Sequence, residues 1–249
     1  LRNVYAPSER KVRLKAPWLK FPALNVQIYA DSMFAKVPSV AKEKGAGVFT
    51  NGKGFDAVYP FHAKSDYPDT LMKFIQDFGV PKTLVTDGAS EMQKGRGLET
   101  VNEYRIHLKH TVPCSPWQNL AEGAVREIKR STRRLIRDNN APRRLWSYAA
   151  KWAAALRRLT ALDIPELDGR TPMEHVTGST PNITPYIMFD WFQPVYYHEP
   201  VAGFPHQKRA MGKLIGAADD CTDELAWVTL PSSGRPITRK SVWAIPPHK

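Results

Sequence analysis

Ser115-Pro116-Trp117-Gln118-Asn119-Leu120-Ala121-Glu122 is the stretch from which the fold is best deduced, since it joins a turn to the head of a helix. Proline and asparagine favour turns and helix caps, and Glu122 falls in the first helical turn. Residues 123–137 then carry six cations, from Arg126 to Arg137, and a single acid, Glu127. The stretch therefore predicts a long basic helix, from about 119 to 139, that begins with one carboxylate.

The segment upstream of this helix has the pattern of strands followed by alternating helices and strands. Leu24, Val26, Ile28 and Ala30 alternate with polar residues, which predicts a strand with Asp31 near its end. Further elements are expected as a hairpin over 46–61, a helix over 69–78 and a short buried strand ending at Asp87. This order is typical of an α/β layered domain.

The segment downstream of the basic helix divides into two parts. Residues 143–161 have an apolar face at helical spacing, so that a second long helix completes a domain over 24–178. From 179 to 249 the composition changes to aromatics, prolines and short β-like runs, which predicts a small all-β module. Residues 1–23 are rich in cations and lack periodicity, and we interpret them as a basic arm or linker.

The overall composition favours an anionic polymer as partner. The chain has 249 residues and a formal charge of +12, and cations that neutralise phosphates gain free energy from released counterions. The alternative is a basic but otherwise ordinary soluble protein. Two cysteines exclude a disulfide framework, and no apolar run approaches the ~18 residues of a membrane span. We expect a reducing, intracellular location and no membrane partner.

Three acids occupy positions that suit metal-dependent phosphoryl transfer: Asp31 late in a strand, Asp87 at the end of another, and Glu122 in a first helical turn. Such chemistry uses two divalent cations about 4 Å apart, held by hard carboxylate oxygens. Each acid also has a structural explanation, since Asp-Gly favours a turn and an acid is stabilised at a helix N-terminus. The three together are far more specific than any one.

Three motifs resemble those of retroviral and retrotransposon integrases, most closely the Ty1/copia type. They are Ile28-Tyr29-Ala30-Asp31, Leu84-Val85-Thr86-Asp87-Gly88 and the opening stretch that ends at Glu122. Glu122 follows Asp87 by 35 positions, close to the spacing in that family. The resemblance implies an RNase H-like core with a mixed five-stranded sheet, followed by an SH3-like module. It also implies that Asp31, Asp87 and Glu122 hold Mg²⁺ or Mn²⁺ for 3′-end processing and strand transfer of element DNA.

One departure from the family pattern makes Glu127 a rival of Glu122. The family has Asn-Gly and two further residues before its glutamate, whereas only Leu120 and Ala121 separate Asn119 from Glu122. The two glutamates lie roughly 140° apart on a helix, so both cannot face one metal pair. We expect Glu122 to be the ligand, with Glu127 on a solvated face.

The remaining expectations concern DNA and assembly. We expect DNA contacts from the following residues: Gln118, Asn119, Arg126, Lys129, Arg130 and Arg133. Gln118 and Asn119 have helix capping as an alternative role. The resemblance implies a homo-oligomer on DNA, acting in the nucleus if the host is eukaryotic. Two alternatives stay open: an inactive DNA-binding or assembly protein with this fold, and another RNase H-like transposase or nuclease.

Overall fold

The first sheet has five strands in the order β3-β2-β1-β4-β5. The strands are β1 (Ala23–Phe34), β2 (Gly45–Thr50), β3 (Asp56–Phe61), β4 (Val80–Thr86) and β5 (His107–His110). β1 pairs antiparallel with β2 and parallel with β4. β3 pairs antiparallel with β2, and β5 pairs parallel with β4. The mixed five-stranded sheet expected from the sequence is therefore confirmed, with the strand that carries Asp31 at its centre.

The structure is a computed structural model, and it describes residues 16–87, 92, 94–111, 119–200, 205, 207–218 and 225–245. The longer helices are α1 (Tyr67–Phe78), α2 (Gly95–Glu103), α3 (Leu120–Asp138) and α4 (Trp146–Leu159). One face of the sheet packs on α1 and α2 through Ile28, Phe49, Phe74 and Val101. The opposite face packs on α3 and α4.

The long basic helix has nearly the limits that the sequence predicts, since Asn119 caps it and Asp138 is its last residue. The predicted helix over 143–161 is a single 3₁₀ turn, Arg143–Leu145, followed by α4.

A second five-stranded sheet follows two short helices, α5 (Pro172–Thr177) and α6 (Thr184–Ile187). Its strands are β6 (Pro194–His198), β7 (Arg209–Ala217), β8 (Trp227–Pro231), β9 (Ile237–Arg239) and β10 (Val242–Ala244). They pair antiparallel throughout, in the order β10-β6-β7-β8-β9. An all-β C-terminal region is thus present, and its SH3-like character stays a prediction.

Helix α4 joins the two sheets because it has two apolar faces. Trp146, Ala150 and Ala154 pack towards the first sheet and α3. Leu145, Ala149 and Trp152 share a core with the second sheet, whose contribution includes Val195, Leu214, Ile215 and Trp227. The second sheet is therefore fixed to the first domain through apolar contact, which burial of nonpolar surface stabilises.

Part of the predicted N-terminal arm is docked on the first domain. Pro17–Leu19 form a 3₁₀ turn, and Trp18 and Phe21 pack against the first core. The Arg105 guanidinium lies 3.8 Å from the centre of the Trp18 ring. Residues 16–22 are therefore not a free linker, and residues 1–15 lie outside the described part of the chain. The domain limits at 23 and 178 stay predictions.

Within the described ranges, no helix is long and apolar enough to cross a membrane.

Candidate active site

Asp31 and Asp87 are brought together by the register of two parallel strands. β1 and β4 pair with Tyr29 opposite Val85, and the same register continued by two residues sets Asp31 beside Asp87. Neighbouring strands are about 4.8 Å apart, and residues two positions along a strand point to the same face. The two carboxylates that the sequence separates by 56 positions are thus neighbours at one end of the sheet.

Glu122 reaches the same end of the sheet from the first turn of α3. This helix packs its buried residues Ala124, Val125 and Ile128 against the face of the sheet formed by Met33, Ala46 and Val48. The side chain of Glu122 is exposed to solvent. The third acid therefore lies over the strand that carries Asp31 and remains accessible to a ligand.

The electrostatic environment of Asp31 shows that the three acids share one neighbourhood. Burial raises the pKa of the Asp31 carboxyl, and the backbone N–H of Ser32 opposes this shift by donating to Oδ1 at 2.7 Å. The negative charges of Asp87 and Glu122 raise that pKa further, whereas the Lys129 ammonium lowers it. Negative charge therefore accumulates around Asp31, with Lys129 as a nearby cation.

The donor set suits a hard divalent cation, although the acids do not form a closed site. Among the residues that the structure describes, no three His, Cys, Asp or Glu side chains are grouped closely enough to hold a metal ion. Like-charged carboxylates repel one another, and a cation between them would reverse this repulsion. Asp31, Asp87 and Glu122 offer only oxygen ligands, which Mg²⁺ and Mn²⁺ prefer.

Glu127 is held by arginines and does not face solvent freely, so the expectation of a solvated face was wrong for this residue. Its side chain is 28% exposed, and its carboxylate lies 3.1 Å from Nη2 of Arg130. A second cation, Arg157 on α4, lies 3.9 Å away. Glu127 therefore faces α4, and this position favours Glu122 as the third acid.

The residues predicted to contact DNA occupy different environments. Arg126, Arg130 and Arg133 are exposed along α3, and Lys129 is half-buried beside Asp31. Asn119 is buried, and its Oδ1 accepts a hydrogen bond from the backbone N–H of Ala121 at 3.1 Å. The structure thus shows the capping alternative for Asn119, and a DNA contact by this side chain stays a prediction. Gln118 lies outside the described residues.

A cavity of about 500 Å³ adjoins Glu122 and is lined by residues that the sequence did not indicate as functional. Gly52 in the β2–β3 turn has φ +76°, and a Cβ at this position would collide with the side chain of Leu120. The turn therefore lies against the head of α3. The cavity also contacts Asp56 and Arg157, whose Oδ2 and Nε are 2.7 Å apart. They are 101 positions apart in the sequence, so no local sequence pattern predicts this pair.

Comparisons with known proteins give similarity at the level of structure alone. No family model and no curated protein matches the sequence. A chain from the cryo-EM structure of the simian T-cell lymphotropic virus intasome in complex with PP2A regulatory subunit B56 gamma matches with a TM-score of 0.50 and 15% identity. That match covers 90% of this chain and 80% of the other.

A second solved structure is the HTLV-2 integrase catalytic core domain in complex with magnesium, in a trimeric form. It has a TM-score of 0.47 and 19% identity, and the match covers 61% of this chain and 96% of that domain.

The fold is therefore similar to that of a chain of this viral intasome, and the mixed five-stranded sheet with flanking helices fits the RNase H-like architecture expected from the sequence. The narrower resemblance to Ty1/copia-type elements stays a prediction.

Proposed function

We propose that the protein is the integrase of an LTR retrotransposon, an enzyme that processes the 3′ ends of element DNA and joins them to target DNA. The observation that carries the proposal is that Asp87 and Glu122, from a parallel strand and a helix, lie close enough to the partly buried carboxyl of Asp31 to raise its pKa. The integrase-like fold supports it, because that fold brings these elements together.

Asp31, Asp87 and Glu122 are the proposed ligands of Mg²⁺ or Mn²⁺, which would activate the attacking oxygen and stabilise the leaving oxygen. The charges of both other acids act on Asp31, and exposed Glu122 would complete the ligand set from α3. In strand transfer, a 3′-hydroxyl oxygen forms a bond to a target phosphorus. The bond from that phosphorus to its original 3′ oxygen breaks, and that oxygen leaves with a proton.

The cations of α3 would position the DNA. Lys129 lies close enough to Asp31 to lower its pKa, and so is placed to contact a phosphate that enters the site. Arg126, Arg130 and Arg133 extend the positive charge along the helix, where they would bind the backbone on either side. DNA is thus the proposed partner, with a homo-oligomer joining two ends, in the nucleus if the host is eukaryotic.

The test is a Mn²⁺-dependent nicking and joining assay on labelled element-end DNA. We expect Asp31→Asn, Asp87→Asn and Glu122→Gln each to lower the rate at least about 100-fold, since loss of even an outer-shell partner of a metal costs 10–100-fold. Glu127→Gln is the matched control and should retain activity within about threefold, apart from its effect on stability.

Three outcomes would change or reject the proposal. Full activity of Asp87→Asn would reject the metal site, and loss in Glu127→Gln with activity in Glu122→Gln would move the third ligand. A wild-type protein that binds DNA tightly and never cuts or joins it would support the alternative of an inactive binding protein.

A further inference from the structure

Two adjacent arginines in the last turn of α4 hold the first residue of β3. The carboxylate of Asp56 accepts a hydrogen bond from Nε of Arg157, and its backbone carbonyl accepts one from Nη1 of Arg158, each at 2.7 Å. The guanidinium of Arg158 also lies 4.9 Å from the centre of the Phe78 ring. Both the side chain and the main chain of Asp56 are thus fixed to α4.

The pair formed by Asp56 and Arg157 is largely shielded from water. Asp56 is 1% exposed, and the side chain of Arg157 is 31% exposed. A hydrogen bond between two ionised groups is stronger than one between neutral groups, and a low local dielectric strengthens it further. The start of β3 therefore has a firm attachment to α4, unlike an exposed ion pair that exchanges with water.

The turn between β2 and β3 is joined to Asp56 by a rigid set of hydrogen bonds. Oδ1 of Asn51 accepts from the backbone N–H of Phe55 at 3.1 Å. Oγ1 of Thr50 accepts from the backbone N–H of Gly52 at 2.9 Å. Phe55, directly before Asp56, is fully buried in the first core. A displacement of Asp56 would therefore be passed on to the whole turn.

This turn contacts α3 at the first residue of the helix. A Cβ placed on Gly52 would collide with Cδ1 of Leu120, so no side chain fits between the turn and the helix. Leu120 precedes Glu122 by two residues. One cavity of about 500 Å³ is lined by Asp56, Arg157, Leu120 and Glu122 together. The attachment at Asp56 and the head of α3 thus border the same space.

The buried residues of α3 next to Glu122 are small. They are Ala121, Ala124 and Val125, which face the sheet. Small side chains make few van der Waals contacts, so they restrain the helix less than large interlocking ones would. The position of Glu122 therefore depends on the additional contact between the β2–β3 turn and the head of the helix.

Arg157 also reaches α3 directly, although at a longer distance. Its Nη1 lies 3.9 Å from Oε1 of Glu127, whose carboxylate is already 3.1 Å from Nη2 of Arg130. Electrostatic attraction falls with distance, and the contact with Asp56 is more than 1 Å shorter. The connection from Arg157 to α3 therefore runs mainly through Asp56 and the turn.

We propose that Arg157 is a positioning residue of the candidate active site, which holds Glu122 near Asp31 through Asp56 and the β2–β3 turn. Arg157 itself would touch neither the metal nor DNA in this role. The inference rests on the proposed function, since that function makes Glu122 a metal ligand. It adds a residue of α4 that sets where this ligand lies.

The first test measures the dissociation constant of Mn²⁺ alone, from the electron paramagnetic resonance signal of the free ion. Arg157→Ala should raise this constant about tenfold, which is the lower end of the effect of groups that orient metal ligands. Loss of a positive charge would by itself tighten Mn²⁺ binding, so the two effects differ in sign. Arg143→Ala, at an exposed residue before α4, is the control for charge and should not weaken binding.

Adding Asp56→Asn to Arg157→Ala separates positioning from stability. The double variant has no unpaired buried charge, so its stability should recover, but the side chain of residue 56 is still not tied to α4. Its Mn²⁺ dissociation constant should therefore stay raised about tenfold. Asp56→Asn alone keeps an acceptor for Nε of Arg157 and should bind Mn²⁺ like the wild type. A double variant that regains both stability and Mn²⁺ affinity would overturn the inference.

Hydrogen exchange without metal, followed by mass spectrometry, gives a second readout. Amides of residues 119–126 should exchange several-fold faster in Arg157→Ala and in the double variant than in the wild type, because the head of α3 opens more often. Amides of residues 146–154 in α4 should not change in the double variant. Equal exchange at the head of α3 in all three proteins would also overturn the inference. A wild type that binds no Mn²⁺ would reject the proposed metal site, and hydrogen exchange alone would then decide whether Arg157 positions the helix.

Discussion

Asp56 is a buried charged residue with one distant cationic partner, Arg157. The residue is 1% exposed at the start of β3, and its Oδ2 accepts a hydrogen bond from Nε of Arg157 at 2.7 Å. Nη1 of Arg158 donates to the Asp56 carbonyl at 2.7 Å, and within the described residues Oδ1 has no hydrogen-bond partner. A buried carboxylate that is only partly satisfied depends strongly on the cation beside it.

We expect Arg157→Ala to lower the free energy of unfolding by about 3–5 kcal/mol, because it leaves the Asp56 carboxylate buried without its cation. Urea unfolding followed by circular dichroism measures the change. Adding Asp56→Asn should recover a large part of the loss, since the amide carries no charge. A double variant as unstable as the sum of the two single ones would show that the side chains do not depend on each other.

Glu122 and Glu127 differ in the face of α3 that they occupy and in their partners. Their positions on a helical wheel can be calculated from the sequence, and the wheel correctly sets them on different faces. The partners of Glu127 cannot be obtained this way, because Arg157 belongs to another helix. Glu127, which the sequence suggested to be solvated, is therefore partly covered by α4.

Helix α3 depends on its first residues for both its stability and the position of Glu122. Asn119 Oδ1 satisfies the Ala121 N–H, one of the amides at the helix start that lack an intrahelical acceptor. Leu120 contacts the Gly52 turn, so the helix head is fixed by a cap and by packing. The cap precedes the proposed metal ligand by three residues.

Asn119→Ala should lower the free energy of unfolding by about 1 kcal/mol through loss of the cap, and Asn119→Ser should restore most of it. The urea midpoints of the wild type and the two variants, compared at equal m-value, measure these changes. If Asn119→Ala instead weakens DNA binding with no change in midpoint, the capping role would be rejected and the predicted DNA contact favoured.

The second buried face of helix α4 is not visible in the sequence pattern. Its larger apolar residues, including Tyr148, Trp152 and Leu156, mark one face clearly in the sequence. The opposite face depends on Ala150 and Ala154 together with Trp146, and small residues give a weak periodic signal. The sequence thus predicted a helix with one buried side, whereas the fold buries two.

At the scale of the whole molecule, the two sheets share a core through α4. Trp152 is buried, and its ring lies 4.7 Å from that of Tyr186 in the core that includes the second sheet. Trp191 donates its indole N–H to the carbonyl of Ile215 at 3.0 Å within the same core. We infer that the first domain and the β-rich region unfold as one unit.

Trp152→Ala should lower the free energy of unfolding by about 3–5 kcal/mol, since it leaves a large cavity in the shared core. Calorimetry should show one transition in the wild type. Trp243→Ala, at an exposed residue on the second sheet, is the matched control and should cost less than about 1 kcal/mol. Two separate transitions in the wild type would contradict the shared core.

The sequence by itself determined the elements and the acids. Alternation and helical periodicity are local consequences of side-chain geometry, so β1, the β2–β3 hairpin and α3 were predicted at nearly their observed positions. The integrase-like motifs single out Asp31, Asp87 and Glu122 as candidate ligands, and their role stays a prediction.

Only the tertiary structure decided how these elements meet. The pairing of β1 with β4 brings Asp31 close to Asp87, and α4 links the two sheets. Each of these features joins residues far apart in the chain. Local sequence patterns carry no information on such distances, because packing of separate elements fixes them.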